Sequence, residues 1–253
     1  MKKNILMAFM AGTIAAGILF AGTVPGHAVG MSVGANMWYV QWKTTPSSGN
    51  DIDPGLMYGP VLGLDLAKKW SLTSVLLTGN FKLHADDAYS PQVNYRRYDS
   101  DTTLNYSINK WLKVFGGFKY VRYDMKLGSL AEMGDLLMPF ESGDFKHLSY
   151  GPGAGIGITL PLSDSFFLLG NGSLLYLYGK NSTSAAADSR FIDKGYNATL
   201  ILAYYLDSIS TTLSAGGRYQ YFREENAHSN DTTMRFYGVT VSAIYHFNLG
   251  NGV

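Results

Sequence analysis

His147-Leu148-Ser149 sets an imidazole and a hydroxyl two residues apart. On a strand that spacing puts both groups on one face. A base beside a hydroxyl is what nucleophilic catalysis needs. A second set of polar groups is larger: Asp65, Lys82, His84, Arg97, Asp99, Asp101, Lys113, Lys119, Arg218 and Gln220. They sit in segments where apolar and polar residues alternate, so they share the polar face. If that face encloses a lumen, its charges must be paired or hydrated. Two chemistries follow. The groups form a salt-bridge network that fills a narrow barrel, or they line a polar conduit and set its selectivity. Their mixed sign argues against a strong preference for anions or cations. Gly151, Gly153, Gly155 and Gly157 recur at every second position. They lack the G-x-G-x-x-G spacing of a dinucleotide site, and no helix follows. On a strand they strip one face of side chains, which makes room for bulky neighbours or relieves curvature. The 5 histidines are scattered, without metal-ligand spacing. Neither a metal nor a cofactor is expected.

These residues need strands to position them. After residue 29 the dominant period is two. Leu56, Tyr58, Pro60, Leu62, Leu64 and Leu66 alternate with Met57, Gly59, Val61, Gly63 and Asp65. Similar alternation runs through Arg97–Ile108, Leu148–Leu160 and Tyr237–Phe247. The pattern predicts about ten strands, with eight to twelve possible: 31–42, 56–67, 70–84, 94–108, 111–127, 147–162, 166–180, 193–207, 210–224 and 234–247. Most are long enough to cross a bilayer at a tilt. Tight connections at 68–69, 109–110, 163–165 and 208–209 alternate with long ones at 43–55, 85–93, 128–146, 181–192 and 225–233. Short periplasmic turns and longer external loops give that rhythm.

Composition supports a membrane setting. The chain has 253 residues, with 15% charged and 14% aromatic, so it is poor in charge. A net charge of +1 gives no electrostatic case for nucleic acid. The absence of cysteine excludes disulfides, thiolate metal sites and a lipid-modified N-terminal Cys. Lys2 and Lys3, the apolar run Ile5–Ala21, Pro25, and the small residues Gly26 and Ala28 form a signal-peptide pattern. Cleavage is expected after Ala28, leaving 1–28 as signal peptide and 29–253 as barrel. No later segment is long and apolar enough to span a bilayer as a helix. In lipid every backbone N–H and C=O needs a partner, and for strands only a closed sheet supplies them all. The expected fold is therefore all-β: a closed antiparallel up-and-down transmembrane β-barrel. Its bulky apolar side faces lipid. Aromatics fall at two levels. Trp70, Tyr106, Trp111, Phe167, Tyr204, Tyr245 and Phe247 are near the short turns. Tyr39, Phe81, Tyr98, Tyr120, Tyr150, Tyr178, Tyr196, Tyr221 and Tyr237 are near the long loops.

The last strand, Val241-Ser242-Ala243-Ile244-Tyr245-His246-Phe247, resembles the C-terminal assembly signal of outer-membrane barrels, with Tyr245 and Phe247 as its aromatics. Residues 29–247 look like a small barrel of the OmpA/OmpW-like superfamily. The resemblance implies the outer membrane of a Gram-negative-type bacterium. It also implies contact with membrane lipid and lipopolysaccharide, and insertion by the barrel-assembly machinery. The function expected is that of a non-enzymatic structural or surface protein, or a narrow channel for small solutes. Two enzyme alternatives arise from resemblance. His147-x-Ser149 is similar to the His-x-Ser of lipid A deacylases, but Phe166–Lys180 lacks their downstream acidic residue. Asp86-Asp87 and His228 stand at the rim, where omptin proteases carry acidic and Asp–His pairs. A third class is an adhesin or receptor. Loop 128–146 holds Leu130, Met133, Leu136, Leu137, Met138 and Phe140, an apolar set suited to folding into the barrel mouth or to binding a ligand or partner.

Overall fold

Four tight turns set the hairpins, and their side chains explain two of them. In 108–111 the Asn109 side-chain oxygen accepts from the backbone N–H groups of Trp111 and Leu112, both at 2.8 Å. In 162–165 the Ser163 hydroxyl accepts from the N–H groups of Ser165 and Phe166. The fourth turn is a 3₁₀ turn over Asp207–Ile209, closed by Ser210 in the left-handed region at φ 48°. A computed structural model describes residues 29–45, 51–84, 93–127, 145–183, 188–226 and 231–249. The signal-peptide segment 1–28, Asp86, Asp87, His228 and loop residues 128–144 lie outside them.

The strands are β1 (Val29–Thr45), β2 (Asp51–Ala67), β3 (Trp70–His84), β4 (Val93–Ser107), β5 (Leu112–Leu127), β6 (Phe145–Pro161), β7 (Phe166–Thr183), β8 (Ser189–Leu206), β9 (Thr211–Asn226) and β10 (Thr232–Leu249). Each pairs antiparallel with its sequence neighbours, and β1 pairs with β10, closing a ten-stranded barrel. This is the expected architecture. Most strands run past their expected ends on the long-loop side, as β8 does from Ser189 and β2 from Asp51.

The outward face carries a band of exposed apolar residues: Val33 and Met37 on β1, Leu104 on β4, Ile156 on β6, Leu174 on β7 and Val241 on β10. Leu62 is half-buried. Water disfavours such a surface and lipid favours it. Exposed aromatics bound it: Trp70, Trp111, Phe166, Tyr204 and Tyr245 at the short-turn level, and Tyr39, Tyr150, Tyr178 and Tyr196 at the long-loop level. From Tyr237 to Tyr245 the strand runs about 26 Å, or about 20 Å of height at a tilt near 40°. A transmembrane barrel needs a band of about that height.

Above the upper tyrosines the two faces exchange character. Gln41, Lys43, Lys82, Lys194 and Arg223 point out, while Trp42, Phe81, Tyr123, Phe222 and Phe236 point in and are buried. There the barrel projects into water, and the ordinary rule of apolar inside and polar outside returns. Two expectations are corrected on this ground, and a third at the other end. Phe81 belongs to the interior, not to the girdle. Lys82, opposite in parity to Phe81, is exposed on the outside and not in the lumen. At the other end Phe166 takes the girdle position, packing on Tyr204 at 4.6 Å, while the half-buried Phe167 has inward parity.

The β6 glycines face the lumen and make room there. A Cβ on Gly155 would overlap the Gly172 carbonyl oxygen on β7 and lie 2.6 Å from the Phe115 ring, and one on Gly153 would lie 2.6 Å from a Leu175 methyl. On Gly157 it would meet the Lys113 stem and the Asn171 side chain. Gly155→Val is therefore expected to destabilise the barrel by about 1–3 kcal/mol through overpacking. Urea titration of the refolded protein measures this, and an unchanged midpoint would show that the glycine leaves slack.

Candidate functional site

The central lumen is built around Asp99. Its carboxylate accepts from Arg97 Nη2 at 2.6 Å and from Lys119 Nζ at 2.5 Å, and Arg218 Nη2 stands 3.8 Å away. Lys119 also lies 3.6 Å from Asp101. Arg97 donates to the Gln220 side-chain oxygen at 2.7 Å. These residues come from β4, β5 and β9, so the contacts cross the barrel interior. Asp99 and Arg97 are buried, and so are Lys119 and Gln220. Three cations face two carboxylates, so the cluster keeps one excess positive charge.

Aromatic faces take up much of that excess. The Arg97 guanidinium sits 3.8 Å from the Phe236 ring centre, with Tyr123 at 5.5 Å and Trp38 at 5.7 Å. Arg218 lies 4.6 Å from the Trp38 ring. An arginine held over a ring gains attraction without a counter-ion. Above this layer Trp42 touches Phe81, Tyr95, Tyr123 and Phe236, with ring centres 5.0–5.6 Å apart. Trp38, Phe236, Arg97 and Gln220 are each 0% exposed, so water reaches them from neither end. The lumen is sealed at this level.

The other expected lumen residues lie apart from the network. Lys113 is half-buried on the lumen side towards the short turns, beside Gly157. Asp65 is exposed at the short-turn mouth, close enough to His246 to interact electrostatically. His246 there bridges the Ser32 and Thr212 hydroxyls, each at 2.8 Å. His84 ends β3, paired with Asp51 in backbone register, and its side chain lies outside the described residues. Tyr245 and Phe247 stack with ring centres 5.8 Å apart. The outward rim above the tyrosines carries ion pairs: Arg122–Asp124, Lys194–Glu225, Arg223–Asp231 and Lys180–Asp188. Hydrogen bonds from Lys180 and Ser182 hold the Asp188 carboxyl below its ordinary value.

His147 and Ser149 both face the lumen and are buried. They are turned away from lipid. Two acidic side chains approach His147, from strands beyond the one next to it: Asp193 on β8 and Glu224 on β9. Sequence spacing conceals this convergence, because residues 147, 193 and 224 meet only through the barrel register. The aromatic seal was also missed. Its signal was the parity of Trp38 and Trp42, which share a face with Asn36 and Ser32 instead of with Met37 and Val33.

No protein-family model matches the chain, and no curated protein does. Solved structures do match. The outer membrane protease OmpT from Escherichia coli superposes with a TM-score of 0.58 at 11% identity, covering 86% of this chain and 97% of its own. The fold is that of the outer-membrane β-barrels. The translocator domain of the autotransporter NalP from Neisseria meningitidis is a second neighbour of this barrel, with a TM-score of 0.50 at 13% identity over 97% of this chain and 98% of the other. At these identities the likeness is one of fold.

Proposed function

We propose that this chain is a non-enzymatic integral protein of the outer membrane of a Gram-negative-type bacterium. Its barrel is closed to solutes and serves as a structural or surface element. The supporting observation is the sealed layer in which Arg97, Trp38, Gln220 and Phe236 lose all contact with water. A solute path would need the Asp99 ion pairs and the Trp42 ring cluster to part together. Lipid and lipopolysaccharide bathe the outward band and the charged rim above it. The barrel-assembly machinery reads the strand that ends in Tyr245 and Phe247. The burial of His147 and Ser149 speaks against catalysis on lipid, since no lipid carbonyl reaches them.

Planar-bilayer recording of the refolded protein tests the closed barrel. The wild type is expected to give no conductance steps. Steady unitary steps from the wild type would establish a channel and end this reading.

A further inference from the structure

At the long-loop end of the lumen five consecutive strands each send one polar side chain inward: Tyr123 from β5, His147 from β6, Asn181 from β7, Asp193 from β8 and Glu224 from β9. Backbone register sets Tyr123 opposite His147, His147 opposite Asn181, and Asp193 opposite Glu224, while between β7 and β8 Asn181 faces Ser189, and the stagger of the strands brings the two sets together. His147 Nε2 lies 3.8 Å from Asp193, and His147 Nδ1 lies 3.9 Å from Glu224. One donor atom from each of the three residues falls within 4.8 Å of the others.

The groups are near one another yet poorly satisfied. His147 Nε2, Asp193 Oδ1, Asn181 Oδ1 and the Tyr123 hydroxyl are all buried without a hydrogen-bond partner. Asp193 is 1% exposed, and among the described residues the only basic group within 4.0 Å of it is His147. The Tyr123 hydroxyl is close enough to both carboxylates for each to act on it electrostatically. Two carboxylates at this depth need positive charge beside them. The nearby Arg97 is committed to Asp99 and Gln220.

We propose that His147, Asp193 and Glu224 bind one divalent first-row transition-metal ion of zinc type. Two carboxylates neutralise its charge, and an imidazole supplies the nitrogen that such ions prefer over calcium or magnesium. Donors about 2.1 Å from a tetrahedral ion stand about 3.4 Å apart. His147 Nε2 stands 3.8 Å from the Asp193 oxygen, beyond a hydrogen bond and within half an ångström of that spacing. Glu224, whose oxygen is 3.9 Å from the other ring nitrogen, turns inward to reach the same ion. The ion takes Nε2, the nitrogen left without a partner. The Asn181 amide donates to Glu224 at 3.3 Å and holds that carboxylate in place, and water completes the shell. Phe191 stacks on the His147 ring at 4.5 Å and fixes its plane. The ion would tie β6, β8 and β9 together at the external end.

The test uses the refolded full-length barrel without an affinity tag, titrated with ZnCl2, with zinc per chain counted after gel filtration. One tightly held zinc per chain is expected in the wild type. His147→Gln and Asp193→Asn should weaken binding at least about 100-fold, while both still show the heat-modifiable migration of a folded barrel. A wild type that retains no zinc overturns the site. So do variants that bind as tightly as wild type, or CaCl2 that displaces zinc at equal concentration. If the variants fail to fold, zinc X-ray absorption of the wild type decides. A histidine signature with oxygen neighbours is expected, and a spectrum without histidine overturns the proposal.

Discussion

Leu200→Arg should destabilise the refolded barrel by about 2–4 kcal/mol in lipid vesicles, because the charge would enter the middle of the hydrocarbon. Leu200 is 59% exposed, lies on β8 midway between the girdle residues Tyr196 and Tyr204, and faces outward beside Gly170 and Gly217. On a soluble protein such a site would tolerate arginine within about 0.5 kcal/mol. The size of the effect therefore reports what bathes the outward face. Gln41→Arg is the control. Gln41 also points out, but two residues beyond Tyr39, where the rim meets water. Its cost is expected near zero. Urea titration of both variants in the same vesicles measures the difference, and equal costs would mean that no bilayer surrounds Leu200.

Asp99→Ala is expected to cost about 3–5 kcal/mol in the same titration. The substitution leaves Arg97, Lys119 and Arg218 crowded in a layer that water does not reach, with Asp101 at the edge as the remaining carboxylate. The loss is mainly the penalty of three like charges without their shared partner. Adding Lys119→Met to Asp99→Ala should recover part of the stability, since it removes one stranded charge and keeps the volume. No recovery in the double variant would mean that Asp99 acts by shape and not by charge.

The strands were legible because lipid enforces a strict alternation on each of them. Leu104, Ile156 and Val241 on one side, with Arg97 and Asp99 on the other, follow from that rule alone. Turn positions were legible because tight connections such as 68–69 leave few residues outside the pattern. The rule fails where a strand leaves the bilayer. Beyond Tyr39 the sequence Val40-Gln41-Trp42-Lys43 still alternates, but its large residues have changed sides. An account that keeps bulky residues outside puts Phe81 and Lys82 on the wrong faces. The Asp99 partners could be guessed as a set, since Arg97, Asp101, Lys119 and Arg218 share inward parity. Their distances could not, because they depend on shear between strands. The meeting of His147, Asp193 and Glu224 is of the same kind: each residue has ordinary neighbours in the chain, and only the stagger of β6 to β9 brings them together.

The pairing of β1 with β10 runs from Val29 opposite Leu249 to Thr45 opposite Thr233. Its two sides are separated by nearly the whole chain, so this contact has the largest loop-closure entropy of any in the fold. Until the last strand arrives, β1 and β9 are bare edges, able to pair with any extended segment they meet. Folding is thus gated by its eighteen-residue last strand. A chain that lost it would keep nine strands' worth of information and still have no way to finish.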